Sequence, residues 1–228
     1  MFKINNVAVL GTGVMGAQIA AHCANAGLKV FAFDMKQDIA ETGIEKASKI
    51  KPNAFYDKKD ISLIKCCNYD SDLEKLRQCD WIIEVISERL DWKKDLYNKI
   101  APYIDNQIVT SNTSGISLAE LSEDMDKNLK EKFFITHFFN PPRYMKLVEF
   151  IYSDFNDQNI INDMAEFMER DLGKGVVYAK DTPNFIANRI GVFGMMVTVN
   201  EAIKRKMNIE DIDGLTGTLI GRPKSATF

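Results

Sequence analysis

The chain has 228 residues, 46% of them hydrophobic and 27% charged. That is the profile of a folded globular protein, and it excludes disorder as the main state. The net charge of −3 gives no overall basic field for nucleic acid or an anionic membrane, and no apolar run reaches the ~18–20 residues of a membrane span. Four cysteines without a C-x-x-C pair, and an N-terminus without a signal-peptide pattern, point to a reducing, cytoplasmic setting. With two histidines only, a zinc site built on several histidines is not available, and no metal is expected.

Strand-like and helix-like segments alternate along the chain. Val7–Leu10 is a short apolar run, and Val14–Ala26 is Ala-rich with helical spacing. Lys29–Asp34 is apolar and extended, and a polar helical stretch follows from about Lys36. Lys51–Tyr69 is less regular and reads as a helical excursion ending in a short strand. Asp80–Ile86 is a continuous apolar strand of the kind buried on both faces, followed by helical Trp92–Ile100 and the strand Gln107–Ser111. This rhythm predicts an α/β, Rossmann-type, doubly wound and mostly parallel sheet. Lys132–His137 and Lys146–Ile151 read as two more strands, Asp157–Leu172 as an amphipathic helix that Gly173 ends, and Gly175–Lys180 as a last strand. A boundary falls near Asp181-Thr182-Pro183, with Thr182 suited to an N-cap and Pro183 to a first helical turn. Beyond it Phe185–Lys206 and Ile209–Gly217 are helical. The expected domains are therefore 1–180, which binds a dinucleotide, and 181–228, the start of an all-helical C-terminal domain. A domain of under 50 residues is too small to hold its own core, so these helices pack on the first domain or a partner chain, or the natural protein continues past Phe228.

Gly11-Thr12-Gly13-Val14-Met15-Gly16 matches G-x-G-x-x-G. Alone that is weak, but here it follows a strand, opens a helix, and has Asp34 ending the next strand about 20 residues on. Gly11 permits the tight turn, Gly13 lets the backbone approach a pyrophosphate, and Gly16 lets helix and strand pack closely. The helix N-terminus offers N–H groups and a positive dipole end to phosphates. Asp34 can accept from a ribose 2′-OH and repels a 2′-phosphate, so NAD is expected rather than NADP. The plainer alternative is a glycine turn with Asp34 as a strand-end cap.

His137 ends one strand and Glu149 lies in the next, with Arg143 midway. If the two strands pair antiparallel around that point, the two residues become cross-strand neighbours. A carboxylate on one imidazole nitrogen fixes the tautomer and stabilises the imidazolium, and the other nitrogen can then accept a substrate proton. By spacing alone the plainer reading leads, a satisfied structural histidine beside a solvent-facing acid. Glu84, inside an apolar run, is either at a solvated edge or a paired structural acid. His22, in mid-helix, is read as packing or solvent. Ser111-Asn112-Thr113-Ser114 can hydrogen-bond a ligand at a strand's carboxyl end, although such residues more commonly make turns and caps.

In one order, with familiar gaps, GTGVMGAQIA, DWIIEVISERL, SNTS, HFFNPP with KLVEF, and DTPNFIANRI resemble the 3-hydroxyacyl-CoA dehydrogenase family of fatty-acid β-oxidation across essentially the whole chain. The tail from Asp211 resembles the start of the dehydrogenase C-terminal part in long bacterial members. The resemblance implies a two-domain enzyme that oxidises L-3-hydroxyacyl-CoA to 3-ketoacyl-CoA with NAD. It implies His137 as general base with Glu149 as its partner, and Ser114 and Asn188 on the substrate oxygens. It also implies Asn140 near the nicotinamide, Glu84 near the cofactor ribose, and a homodimer through the C-terminal helices. Departures are Asn184 where the family often has Gly, Arg89 where some members have Asn, and a C-terminal domain present only in its first helices. Competing readings are a related hydroxyacid dehydrogenase, a sugar-acid dehydrogenase sharing the His–Glu pair, and an NAD-binding module with little activity. The hydroxyisobutyrate type uses a Lys in place of that pair, which the HFFNP run opposes.

Overall fold

The structure, a computed structural model, describes residues 3–221 and 226–227. In chain order it forms β1 (Asn6–Leu10), α1 (Val14–Asn25), β2 (Lys29–Asp34), α2 (Gln37–Lys49), β3 (Ile64–Asn68), β4 (Trp81–Glu84) and α3 (Leu90–Ile100). There follow β5 (Ile108–Ser111), α4 (Leu118–Ser122), α5 (Lys127–Glu131), β6 (Phe133–Phe138), β7 (Leu147–Ile151), α6 (Gln158–Arg170), β8 (Gly175–Ala179), α7 (Ala187–Arg205) and α8 (Ile209–Thr216). One compact unit runs to Pro183 and a second begins at Asn184.

The strands make one sheet in the order β3-β2-β1-β4-β5-β6-β7-β8. The first six in that order are mutually parallel, and β7 turns antiparallel to β6 with β8 parallel to β7. β1, β4, β5 and β6 are buried almost throughout, as their mainly apolar sequences require of strands covered on both faces. The order reverses between β1 and β4, and the carboxyl ends of those strands form the crevice in which such sheets hold ligands.

Two expectations are corrected. The strand foreseen over Asp80–Ile86 stops at Glu84, because the Ile86 N–H turns back onto the Glu84 carboxylate at 2.7 Å. The helix expected from Phe185 under a Thr182 cap begins at Ala187, after Ile186. The reason is local: Asn184 and Phe185 have φ of +63° and +50°, a left-handed conformation that breaks the turn Pro183 was to open. Asn tolerates that region better than most residues, which accounts for Asn in a place where the resemblance leads one to expect Gly. In the second unit, α7 closes at a left-handed Lys206 and Asn208 caps α8 by accepting from the Asp211 N–H at 2.7 Å. Arg222, Pro223 and Phe228, which bear on how the chain continues, lie outside the described residues.

Candidate active site

β1 is followed at once by Gly11, which has φ of +101°, a conformation that glycine alone adopts at no steric cost. A side chain on Gly16 would sit 1.9 Å from the Gly11 carbonyl oxygen, so these two glycines fix the turn and the close approach of α1. A Cβ on Gly13 would meet nothing within 4 Å, and no side chain caps α1. The first N–H groups of α1 are thus left without a side-chain cap at the positive end of the helix dipole, which is the arrangement that receives a phosphate. Asp34 reaches back to the same turn. Its Oδ2 accepts from the Thr12 N–H at 2.8 Å and the Thr12 hydroxyl at 2.6 Å, and its Oδ1 accepts from the Met35 N–H at 2.8 Å. Asp34 therefore is a cap as well as an acceptor at the rim. A cleft of about 660 Å³ opens here, lined by Thr12, Gly13, Asp34, Ile39, Thr42 and Lys46 among others. These residues fit the diphosphate and ribose of a dinucleotide.

Across the crevice, β6 and β7 place His137 directly opposite Glu149. The imidazole Nδ1 lies 2.7 Å from Glu149 Oε2, with both side chains buried. A carboxylate only accepts, so Nδ1 carries the proton and the ring is held in one tautomer. Phe139 packs on the imidazole with centroids 4.5 Å apart, which limits its rotation. Asn140, just beyond, accepts from the Gln18 amide of α1 at 3.2 Å.

Ser114 follows β5 and α4 follows it. Glu88 organises this loop: its Oε1 accepts from the Thr113 hydroxyl at 2.5 Å and from the N–H groups of Ser114 and Gly115 at 2.8 and 3.0 Å. Burial pushes the Glu88 carboxyl up, but those hydrogen bonds and the Lys93 charge outweigh it and hold the group below its ordinary value. Asp181 accepts from the N–H groups of Leu118 and Ala119 at 2.9 and 3.0 Å, so the DTP acid supplements the Ser117–Glu120 capping box of α4 and steadies the loop from its other end.

Glu84 is corrected. Its carboxylate is fully buried and accepts from Ile86 N–H and Lys93 Nζ on one oxygen and from Tyr97 and Ser111 hydroxyls on the other, at 2.6–2.8 Å. With every acceptor position filled by protein and no surface exposed, this side chain has nothing to offer a ribose. It is the paired structural acid of the two readings the residues left open. Asn188 stands in the first turn of α7, in the second unit.

Residues 6–182 match the family model described as 3-hydroxyacyl-CoA dehydrogenase, NAD binding domain. The chain belongs to the 3-hydroxyacyl-CoA dehydrogenase family. The family's NAD-binding domain therefore occupies most of it, and the cofactor class is NAD. A "Probable 3-hydroxyacyl-CoA dehydrogenase" of Deinococcus radiodurans is 43% identical over 99% of this chain and 68% of its own length. A protein of the same name in Bacillus subtilis is 44% identical over 99% of this chain, which spans 31% of that relative. Among solved structures, (S)-3-hydroxybutyryl-CoA dehydrogenase of Ralstonia eutropha superposes with a TM-score of 0.81 at 26% identity, over 97% of this chain and 79% of that one.

Several site residues carry no clear mark in the sequence. Lys93 and Tyr97 read as part of a polar helix, yet Lys93 is only 1% exposed. Gly43 of α2 packs against the loop, where an added Cβ would meet the Thr12 carbonyl oxygen at 2.3 Å. On α1, the polar residues Gln18, His22 and Asn25 recur at i, i+4 and i+7 in an otherwise apolar helix. That spacing is the signal that was available for a polar stripe.

Proposed function

We propose that this chain carries the NAD-dependent oxidation of L-3-hydroxyacyl-CoA to 3-ketoacyl-CoA, a step of fatty-acid β-oxidation. The observation that carries the reading is the buried His137–Glu149 pair at 2.7 Å, set at the end of the same sheet whose first turn fits the dinucleotide phosphates. His137 takes the proton of the substrate C3 hydroxyl as general base, and Glu149 stabilises the imidazolium that forms. Ser114 and Asn188 hydrogen-bond the substrate oxygens at the reacting end and hold C3 in line. The Gly11–Gly16 turn and Asp34 hold the diphosphate and adenosine ribose, and Asn140 orients the nicotinamide end. NAD, when bound, supplies the acceptor for the C3 hydride.

Residues 1–180 act as the NAD-binding domain and 181–228 belong to the helical C-terminal domain. A homodimer through the C-terminal helices is supported by α7, where Ile190, Phe193 and Ile203 are 66–70% exposed, more than an isolated surface helix favours. NADH formation with 3-hydroxybutyryl-CoA, a longer 3-hydroxyacyl-CoA and L-gulonate tests the substrate class. Turnover confined to the acyl-CoA substrates supports the proposal. Turnover of gulonate alone assigns the pair to a sugar-acid dehydrogenase, and NAD binding without any turnover reduces the chain to a binding module.

A further inference from the structure

The eight residues between the strands of His137 and Glu149, residues 139–146, are not held by a sheet of their own. They are held by side chains from elsewhere. Asn140 is tied to Gln18 of α1, and Arg143 donates to the carbonyls of Asn53 and Phe55 at 2.7 and 3.1 Å while stacking on Tyr56 at 3.9 Å. The third tie is Lys174. Its ammonium donates to the main-chain carbonyls of Pro142 and of Met145, the latter at 3.0 Å, and lies 5.6 Å from the Phe138 ring.

Lys174 is 6% exposed, and among the described residues no carboxylate lies within ion-pairing distance of it. A lysine is seldom buried without a counter-charge, because the desolvation is costly. Its attachment is rigid. The Lys174 N–H donates to the Met168 carbonyl near the end of α6, and the next residue, Gly175 at the start of β8, donates its N–H to the Lys146 carbonyl and pairs in register with Leu147. A fixed cation therefore grips the middle of the loop that joins a base to the group orienting it.

We propose that Lys174 is a positioning residue of the His137 site, holding residues 139–146 by two carbonyls so that the imidazole and Asn140 keep their places at the crevice. The proposal rests on the reading of His137 as the base. Burial draws the Lys174 ammonium down to about 8, with Cys23 opposing. The titratable groups of α1 that bear on it are inert around that pH. Burial pushes the Cys23 thiol up to about 12 and His22 down to about 4, where Lys174 and Arg143 also disfavour its charge. Loss of the Lys174 proton near pH 8 leaves an amine that still donates to the two carbonyls but without charge assistance, so the grip weakens.

The test compares Lys174→Met and Lys174→Arg with the parent protein. Read out are NAD affinity, kcat and KM for 3-hydroxybutyryl-CoA across pH, and the imidazole Nδ1–H proton resonance of His137. That resonance is assignable because the only other histidine is His22. The expected result for Met is a kcat lowered about 10–100-fold, the usual size for a displaced reacting group, with NAD affinity unchanged and the His137 resonance broadened or moved. Arg, which keeps its charge at high pH, is expected to retain kcat within a few-fold and to lose the alkaline limb near pH 8. Unchanged kcat and an unchanged resonance in Met overturn the proposal. So does a kcat loss in both variants that only parallels lost NAD binding, since that marks a general folding defect. If the parent protein shows no turnover, the functional reading fails, and the resonance alone decides on the positioning role.

Discussion

Lys93→Met removes the cation from a pair in which neither partner is more than 1% exposed and the N–O distance is 2.6 Å. Methionine keeps roughly the volume of the lysine stem, so the loss is the charge and not a cavity. Removing one partner of a buried pair ordinarily costs about 3–5 kcal/mol, because the other charge stays buried. Glu84 keeps the Ile86 N–H and the Tyr97 and Ser111 hydroxyls as donors, which places the expected cost at the lower end, about 3 kcal/mol. For a unit of this size that lowers Tm by about 6–12 °C. Urea denaturation followed by tryptophan fluorescence suits the measurement, since the buried Trp81 begins the strand that Glu84 ends. The double variant Glu84→Gln/Lys93→Met removes both charges and recovers most of the loss, with a coupling of about 2 kcal/mol or more. A Lys93→Met protein within about 1 kcal/mol of the parent would refute the reasoning, because the pair would then not be the hub of β4 and α3.

Glu149→Gln keeps an acceptor opposite Nδ1 but removes the charge that stabilises the imidazolium. At an effective dielectric near 20 and roughly 4 Å between charge centres this is worth up to about 4 kcal/mol, so kcat falls about 10²–10³-fold with NAD affinity unchanged. His22 gives a pH signature: its folded value is about 4 against 6.5, so its contribution is complete above pH 6.5 and is lost as pH falls toward 4. That amounts to about 3 kcal/mol, and His22→Gln should flatten the acid side of the stability profile accordingly. Asp181→Ala uncaps the Leu118 and Ala119 N–H groups and should cost about 1–2 kcal/mol by denaturant titration, with KM for the acyl-CoA rising as the Ser114 loop loosens.

The parts of the molecule that are legible in the sequence are those governed by local period and glycine stereochemistry. The β1–α1–β2 unit follows from the apolar run, the Gly11–Gly16 spacing and Asp34. The His137–Glu149 register follows from symmetry about Arg143, since antiparallel pairing puts residues equidistant from the turn opposite each other. What local pattern cannot give is side-chain direction. Glu84 looks like a crevice acid by position, yet it turns inward to Lys93, nine residues on and reading as part of a polar helix. The backbone reversal at Asn184 and Phe185 is equally hidden, because Pro183 suggests a helix start and only the left-handed φ of its two successors denies it. Lys174 reads as an ordinary charged residue after Gly173, and its burial depends on α1 and on residues 139–146, some thirty residues or more away in sequence.

The central claim is that the imidazole of His137 moves the substrate proton at a site whose dinucleotide cradle is built independently from β1, α1 and β2. Kinetics of NADH formation from 3-hydroxybutyryl-CoA by His137→Ala, alongside its NAD affinity by calorimetry, address it most directly. Turnover should drop about 10²–10⁴-fold, the usual worth of a positioned base, while NAD binding stays at the parent value. Parental turnover in that variant would contradict the account.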